Sequence, residues 1–150
     1  MKNFSDAVFL DSSFLIAYQI SGDDFHTKAK NILTDLYKKG IVLILNPLIM
    51  DEVWYVSRTL TRKKLAKPTE KNIQEALRII TEDTLAIRKL KIVNPVFKHQ
   101  DIREVLSIMS KYDLRPRDAL IVKSMQILGV NKIATFDTDF DRVKGINVIK

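Results

Sequence analysis

The sequence predicts an α/β protein, a three-layer α/β/α sandwich around a central, mostly parallel sheet. Three observations carry that prediction. Five short apolar runs alternate with stretches of helical periodicity. The runs lack the polar alternation of a half-exposed strand and read as strands buried on both faces, as in a parallel sheet. The 150 residues hold only four glycines and four prolines, with no linker, internal repeat or low-complexity tract. One domain over residues 1–150 is therefore expected.

The elements follow in chain order. The run AVFLD (7–11) is the first strand, and Ser12 and Ser13 precede a helix starting near Phe14. From about Asp24 to Lys39, Ala29, Ile32, Leu33 and Leu36 share one helical face. IVLIL (41–45) is the second strand. Asn46 and Pro47 then supply an N-cap and first helical position for a helix reaching roughly Arg62. Pro68, Thr69 and Glu70 introduce a long helix through Ile73, Leu77 and Ile80 to about Leu90. KIV (91–93) is the third strand, and Ile102, Val105, Leu106 and Met109 mark the helix after it. Pro116 opens another helix, which Gly129 stops. KIATF (132–136) and INVI (146–149) complete the sheet.

A net charge of +7 favours a polyanionic partner, nucleic acid above all, although a solvated lysine-rich surface has the same composition. With no cysteine, disulfides, thiolate nucleophiles and zinc–sulfur sites are excluded. The apolar runs are too short to span a bilayer, and the N-terminus lacks a signal-peptide pattern. A cytoplasmic protein without a membrane partner is expected.

Against this basic background, four carboxylates stand where strand should turn to helix: Asp11, Glu52, Asp118 and Asp137. Asp11 closes the first apolar run. Glu52 lies within the stripe of Ile49, Val53, Val56 and Leu60, whereas its neighbour Asp51 points to the other side, as a solvated acid should. Asp118 heads the apolar face of Ile121, Val122 and Met125. Burying an unpaired charge is costly, so acids are seldom placed on such faces for solubility. If the four converge, their repulsion calls for a cation, and an all-oxygen cluster suits Mg²⁺ or Mn²⁺.

Each residue also has a plainer reading. Glu52 could cap a backbone or pair with an arginine, and Asp118 could serve the helix dipole alone. Ser12 and Ser13 could cap the first helix, orient a metal-binding Asp11, or do both. In TFDTDFD, acids alternate as in a calcium-binding EF-hand loop, but Arg142 and Val148 occupy the required glycine and glutamate positions. Asp137 follows the strand directly and is the better ligand candidate, Asp139 is an auxiliary, and Asp141 reads as a surface acid. Thr135 and Thr138 are placed to support the site. His26 and His99 sit at no metal-ligand spacing, and Trp54, Tyr55 and Phe97 read as core or partner contacts. Arg58, Arg62, Lys63 and Lys64 form a basic stretch that fits a solvated face or RNA phosphates.

Taken in order, LDSSFLIA, the DE of the second long helix, RDALIVKSM and IATFDTDFDRVKGINVI resemble the PIN-domain nucleases, including the VapC-type toxin ribonucleases. The resemblance covers nearly the whole chain. It implies metal-binding acids at Asp11, Glu52, Asp118 and Asp137, with Asp139 auxiliary, and supporting hydroxyls at Ser12 or Ser13 and Thr135. It also implies hydrolysis of RNA phosphodiesters by water with Mg²⁺ or Mn²⁺, a homodimer and, in toxin systems, an antitoxin partner. Arg115 and Arg117, flanking Pro116, depart from the smaller or aromatic residues of many relatives and are further candidates for RNA contact. Competing expectations are an RNA-processing nuclease without an antitoxin and a non-catalytic binding module of the same fold. An aspartate-based phosphatase is a third, but Ser13 stands where its second aspartate should be.

Overall fold

The first two strands end where a residue in a helix-capping position, Asp11 or Asn46, takes over. In the computed structural model, which describes residues 4–150, the sheet consists of β1 (Val8–Leu10), β2 (Leu43–Leu45), β3 (Leu90–Ile92), β4 (Lys132–Ala134) and β5 (Asn147–Ile149). All neighbours pair in parallel, in the order β3-β2-β1-β4-β5. Four of the five ladders are shorter than the apolar runs that announce them, and β3 keeps the length of its run but begins one residue earlier. Asp11, for example, leaves the β1 ladder to become the residue before a helix, yet its N–H still reaches the Ala134 carbonyl at 3.1 Å.

Parallel pairing requires long crossovers, and helices supply them. α1 (Ser12–Gln19) and α2 (His26–Lys38) join β1 to β2, and α3 (Pro47–Lys64) and α4 (Glu70–Leu85) join β2 to β3. α5 (His99–Tyr112) and α6 (Pro116–Leu128) lead to β4, and a 3₁₀ turn (Thr138–Arg142) leads to β5. Asn46 caps α3 by accepting from the Ile49 N–H at 3.1 Å, ahead of Pro47, as predicted. Thr69 caps α4 in the same way, and Gly129 ends α6 with φ at 68°. α1 packs on α2 and α3, α3 on α4, and α5 on α6, which gives the helical layers of an α/β/α sandwich.

Three expectations need correction. The long helix expected to reach about Leu90 ends at Leu85, and Leu90 opens β3 instead. Burial on both faces holds for β1 and β2, whose residues are all buried, but not for the edges: Lys91 and Ile92 of β3 and Asn147 of β5 are exposed. An edge strand has a neighbour on one side only, so its outer residues meet solvent. Ser12 and Ser13 do not cap a helix starting near Phe14. α1 begins at Ser12 itself, with Asp11 in the cap position, and both hydroxyls are engaged elsewhere.

α6 is unusually enclosed, with Ala119, Ile121, Val122, Ser124 and Met125 all buried. Lys123 joins them and survives burial because its ammonium lies 3.0 Å from Asp101 and 2.5 Å from Glu104 of α5. Its stem packs inside while its charged end reaches these acids at the margin. They hold the Lys123 pKa above its ordinary value, the bond to Glu104 contributing most.

Candidate active site

Sheet order reverses direction at β1: the chain proceeds to β2 and β3 on one side, then returns to β4 and β5 on the other. Ligands of open parallel sheets bind beyond the carboxyl ends of the strands at such a switch. Asp11 follows β1 there, and Thr135 and Asp137 follow β4. Glu52, in the second turn of α3, and Asp118, in the first turn of α6, reach the same place. An open cavity of about 350 Å³ is lined by Asp11, Ser12, Ser13, Glu52, Asp118 and Asp137, together with Arg115, Pro116 and Arg117. The chain thus gathers four acids that are spread over more than a hundred residues of sequence.

Asp11 is the innermost, only 3% exposed. Its Oδ2 accepts from Thr135 Oγ1 at 2.7 Å and from Ser13 Oγ at 3.0 Å. Ser13 Oγ also receives the Phe136 N–H, and Thr135 Oγ1 the Asp137 N–H, each at 3.0 Å. These bonds lock the turn after β4 against the start of α1, so Thr135 and Ser13 fix one face of the carboxylate. Burial raises the Asp11 pKa, with a small further push from Glu52, while Thr135, the Ser12 backbone and Ser13 pull it down. Ser12 serves Glu52, donating to Oε2 at 2.9 Å.

Asp118 is raised to about 6, first by burial, then by the negative charges of Asp137 and Asp11, with Arg115 opposing and Glu52 adding to the rise. Carboxylates that repel each other favour a bound cation, and Glu52 already has a cationic neighbour in Arg117, 3.5 Å from its Oε1. A second set overlaps the first: Asp118, Asp137 and Asp139 each offer an oxygen within 4.8 Å of the others. Oxygens that close can share one ion at 2.0–2.6 Å, so the donor set and its spacing fit a hard divalent cation.

Asp139, like Glu52 beside Arg117, already has cationic partners. Arg142 contacts its Oδ1 at 2.8 Å and Arg115 its Oδ2 at 3.9 Å. Arg142 also donates to the Asp113 carbonyl at 3.0 Å and so ties the turn before α6 to the turn after β4. Sequence reading did not single out Arg142. Its position, three residues after Asp139 in one helical turn, was the available signal. Asp51 is exposed, as expected of a solvated acid, but it is paired, with Arg117 at 3.0 Å.

The other candidates lie away from the cavity. Arg58 and Arg62 pair with Glu70 of α4, at 3.1 and 3.7 Å, and Lys63 is exposed at the end of α3. His26 is half-buried, its Nδ1 2.8 Å from the Ala17 carbonyl, and His99 is exposed. Trp54 and Tyr55 are exposed rather than core residues, and Phe97 packs against the core. Among the described residues, no helix is long and apolar enough to cross a membrane.

The PIN domain model matches residues 8–146. Two curated relatives from Methanocaldococcus jannaschii align over nearly their full length. Ribonuclease VapC6 is 29% identical over 95% of this chain and 96% of its own. Ribonuclease VapC2 is 28% identical over 100% and 97%. Among solved structures, Mycobacterium tuberculosis VapC20, a Sarcin-Ricin loop cleaving toxin, superposes with a TM-score of 0.61 at 19% identity, covering 90% of this chain and 93% of that one. Rickettsia felis VapBC2, bound to a DNA fragment from their promoter, gives 0.66 at 14% identity, covering 95% and 97%. At those identities the likeness is one of fold.

Proposed function

The chain belongs to the PIN-domain family, and on that premise we propose that it is a Mg²⁺- or Mn²⁺-dependent endoribonuclease, the toxin of a toxin–antitoxin pair. The meeting of Asp11, Glu52, Asp118 and Asp137 at one cavity is the observation that carries this reading. The names of the two archaeal relatives, both ribonucleases of nearly the same length, add to it.

Asp11, Glu52, Asp118 and Asp137 would hold the ion, with Asp139 at the flank. A divalent ion bound there supplies a water of lowered pKa and offsets charge on the phosphate oxygens. The chain's own residues do the positioning. Thr135 and Ser13 hold Asp11, Ser12 orients Glu52, and the N-termini of α1 and α6 favour negative charge at Asp11 and Asp118. Arg115 and Arg117, which line the cavity, would meet the RNA backbone. Contacts of that kind are independent of base sequence and weaken as salt rises. A homodimer, an antitoxin and a cytoplasmic setting complete the proposal, on the family resemblance.

Purified protein should cut a fluorescent RNA only with Mg²⁺ or Mn²⁺ present, and Asp11→Asn should abolish cleavage while preserving the fold. Cleavage by that variant at the wild-type rate would refute the assignment.

A further inference from the structure

Arg117 makes two contacts at the cavity mouth. Its Nη2 lies 3.0 Å from Asp51 Oδ2, and its Nη1 lies 3.5 Å from Glu52 Oε1. Only one of these partners faces the cavity: Glu52 lines it and Asp51 does not. The second oxygen of Glu52 is taken by Ser12. The carboxylate therefore points one oxygen at a hydroxyl and the other at a guanidinium, and an incoming cation must displace the latter. The closer contact, with the exposed Asp51, anchors Arg117 independently of Glu52.

We propose that Arg117 is an exchangeable counter-charge: it neutralises Glu52 until a divalent ion arrives, then keeps Asp51 and offers its freed N–H groups to an RNA phosphate. The inference rests on the metal-dependent reading above. Charge balance argues for it. The four cavity acids outnumber the two arginines that line it, and both arginines are shared with acids outside it, Asp51 and Asp139, so the mouth stays negative until a cation binds. A polyanion would be repelled before the ion binds and accepted afterwards. Arg117 would then contact substrate only when the site is loaded. Its planar fork suits this role, since it can hold one carboxylate and still present donors to a second anion. Arg115 is no substitute, because its 3.9 Å contact is with Asp139.

The test is Mn²⁺ titration by calorimetry on the full chain without RNA, alongside steady-state cleavage. Arg117→Gln removes the competitor and should bind Mn²⁺ roughly two- to fivefold more tightly, the size expected of a part-exposed ion pair. In cleavage the same variant should show a raised KM and a shallower dependence of log KM on log salt, by about one ion. Those changes oppose each other, and a merely structural residue would not produce them. Arg117→Lys keeps the charge without the two-pronged contact, so it should also bind Mn²⁺ more tightly than wild type. Mn²⁺ binding by folded Arg117→Gln that is no tighter than wild type overturns the exchange, as does Arg117→Lys indistinguishable from wild type. Wild-type protein that takes up no Mn²⁺ overturns the metal-dependent reading itself.

Discussion

Thr135 Oγ1 donates to Asp11 Oδ2 at 2.7 Å across the seam between β1 and β4, and both residues are buried. The same oxygen accepts the Asp137 N–H, so one hydroxyl positions two of the four acids. Thr135→Val keeps the shape and deletes both bonds, leaving the Asp137 N–H without its partner and Asp11 Oδ2 with Ser13 alone. It should cost about 1–3 kcal/mol of stability and lower metal affinity or cleavage by about 10–100-fold. Thermal melting and Mn²⁺ titration measure the two effects.

Asp11→Asn should preserve or raise the stability of the metal-free protein while abolishing cleavage. Burial raises the Asp11 pKa, so above that value the ionised carboxylate is tolerated less well in the native chain than in the unfolded one. Asparagine removes the charge at similar volume. Melting curves at pH 7.5 with chelator check this, and a large drop in melting temperature would contradict it.

Asp118 sets a pH dependence. Its native pKa of about 6 lies above the ordinary 3.8, so the native state binds this proton more tightly than the unfolded chain. The contribution of Asp118 to metal-free stability is thus best at low pH, declines as pH rises from about 4 to about 6, and is flat beyond. Ion binding requires the carboxylate and runs the opposite way. The rise in melting temperature on adding Mn²⁺ should be small at pH 5 and full by pH 7.5. Equal shifts at both would argue against Asp118 as a ligand.

Lys123 separates packing from charge. Lys123→Met keeps the buried stem and should change stability by no more than about 1 kcal/mol, the usual value of a pair at the margin of solvent. Lys123→Ala opens a gap between α5 and α6 and should cost about 2 kcal/mol or more. Urea unfolding of the two variants distinguishes these contributions.

Much of this was legible in the sequence because the signals are local. Asn46–Pro47, Pro68–Thr69–Glu70, Pro116 and Gly129 mark helix ends through side chains that cap, or backbones that cannot continue, and the structure puts those ends there. As candidates, Glu52 and Asp118 stood out by lying on apolar helical faces, and Asp11 and Asp137 by following strands. Partnerships across the chain left no such mark. Nothing near Arg117 in sequence announces Glu52, 65 positions earlier, and Lys123 reads as an interruption until Asp101 and Glu104 are beside it. The serines stayed ambiguous between capping and orienting Asp11, because a hydroxyl before a helix has the same local signature whether it binds backbone or a carboxylate.

The sheet order has a consequence for how the molecule comes apart. β1 and β4 lie side by side at the sheet's interior, with Val8, Phe9, Leu10, Ile133 and Ala134 all sealed from water, whereas β3 and β5 each have a free side. Fraying under heat or denaturant would therefore begin at the borders and reach the middle last. Asp11 and Asp137 hang from that middle pair, so the amides of Phe9 and Ile133 should be among the slowest to exchange with deuterium. A partly opened molecule would still present them together.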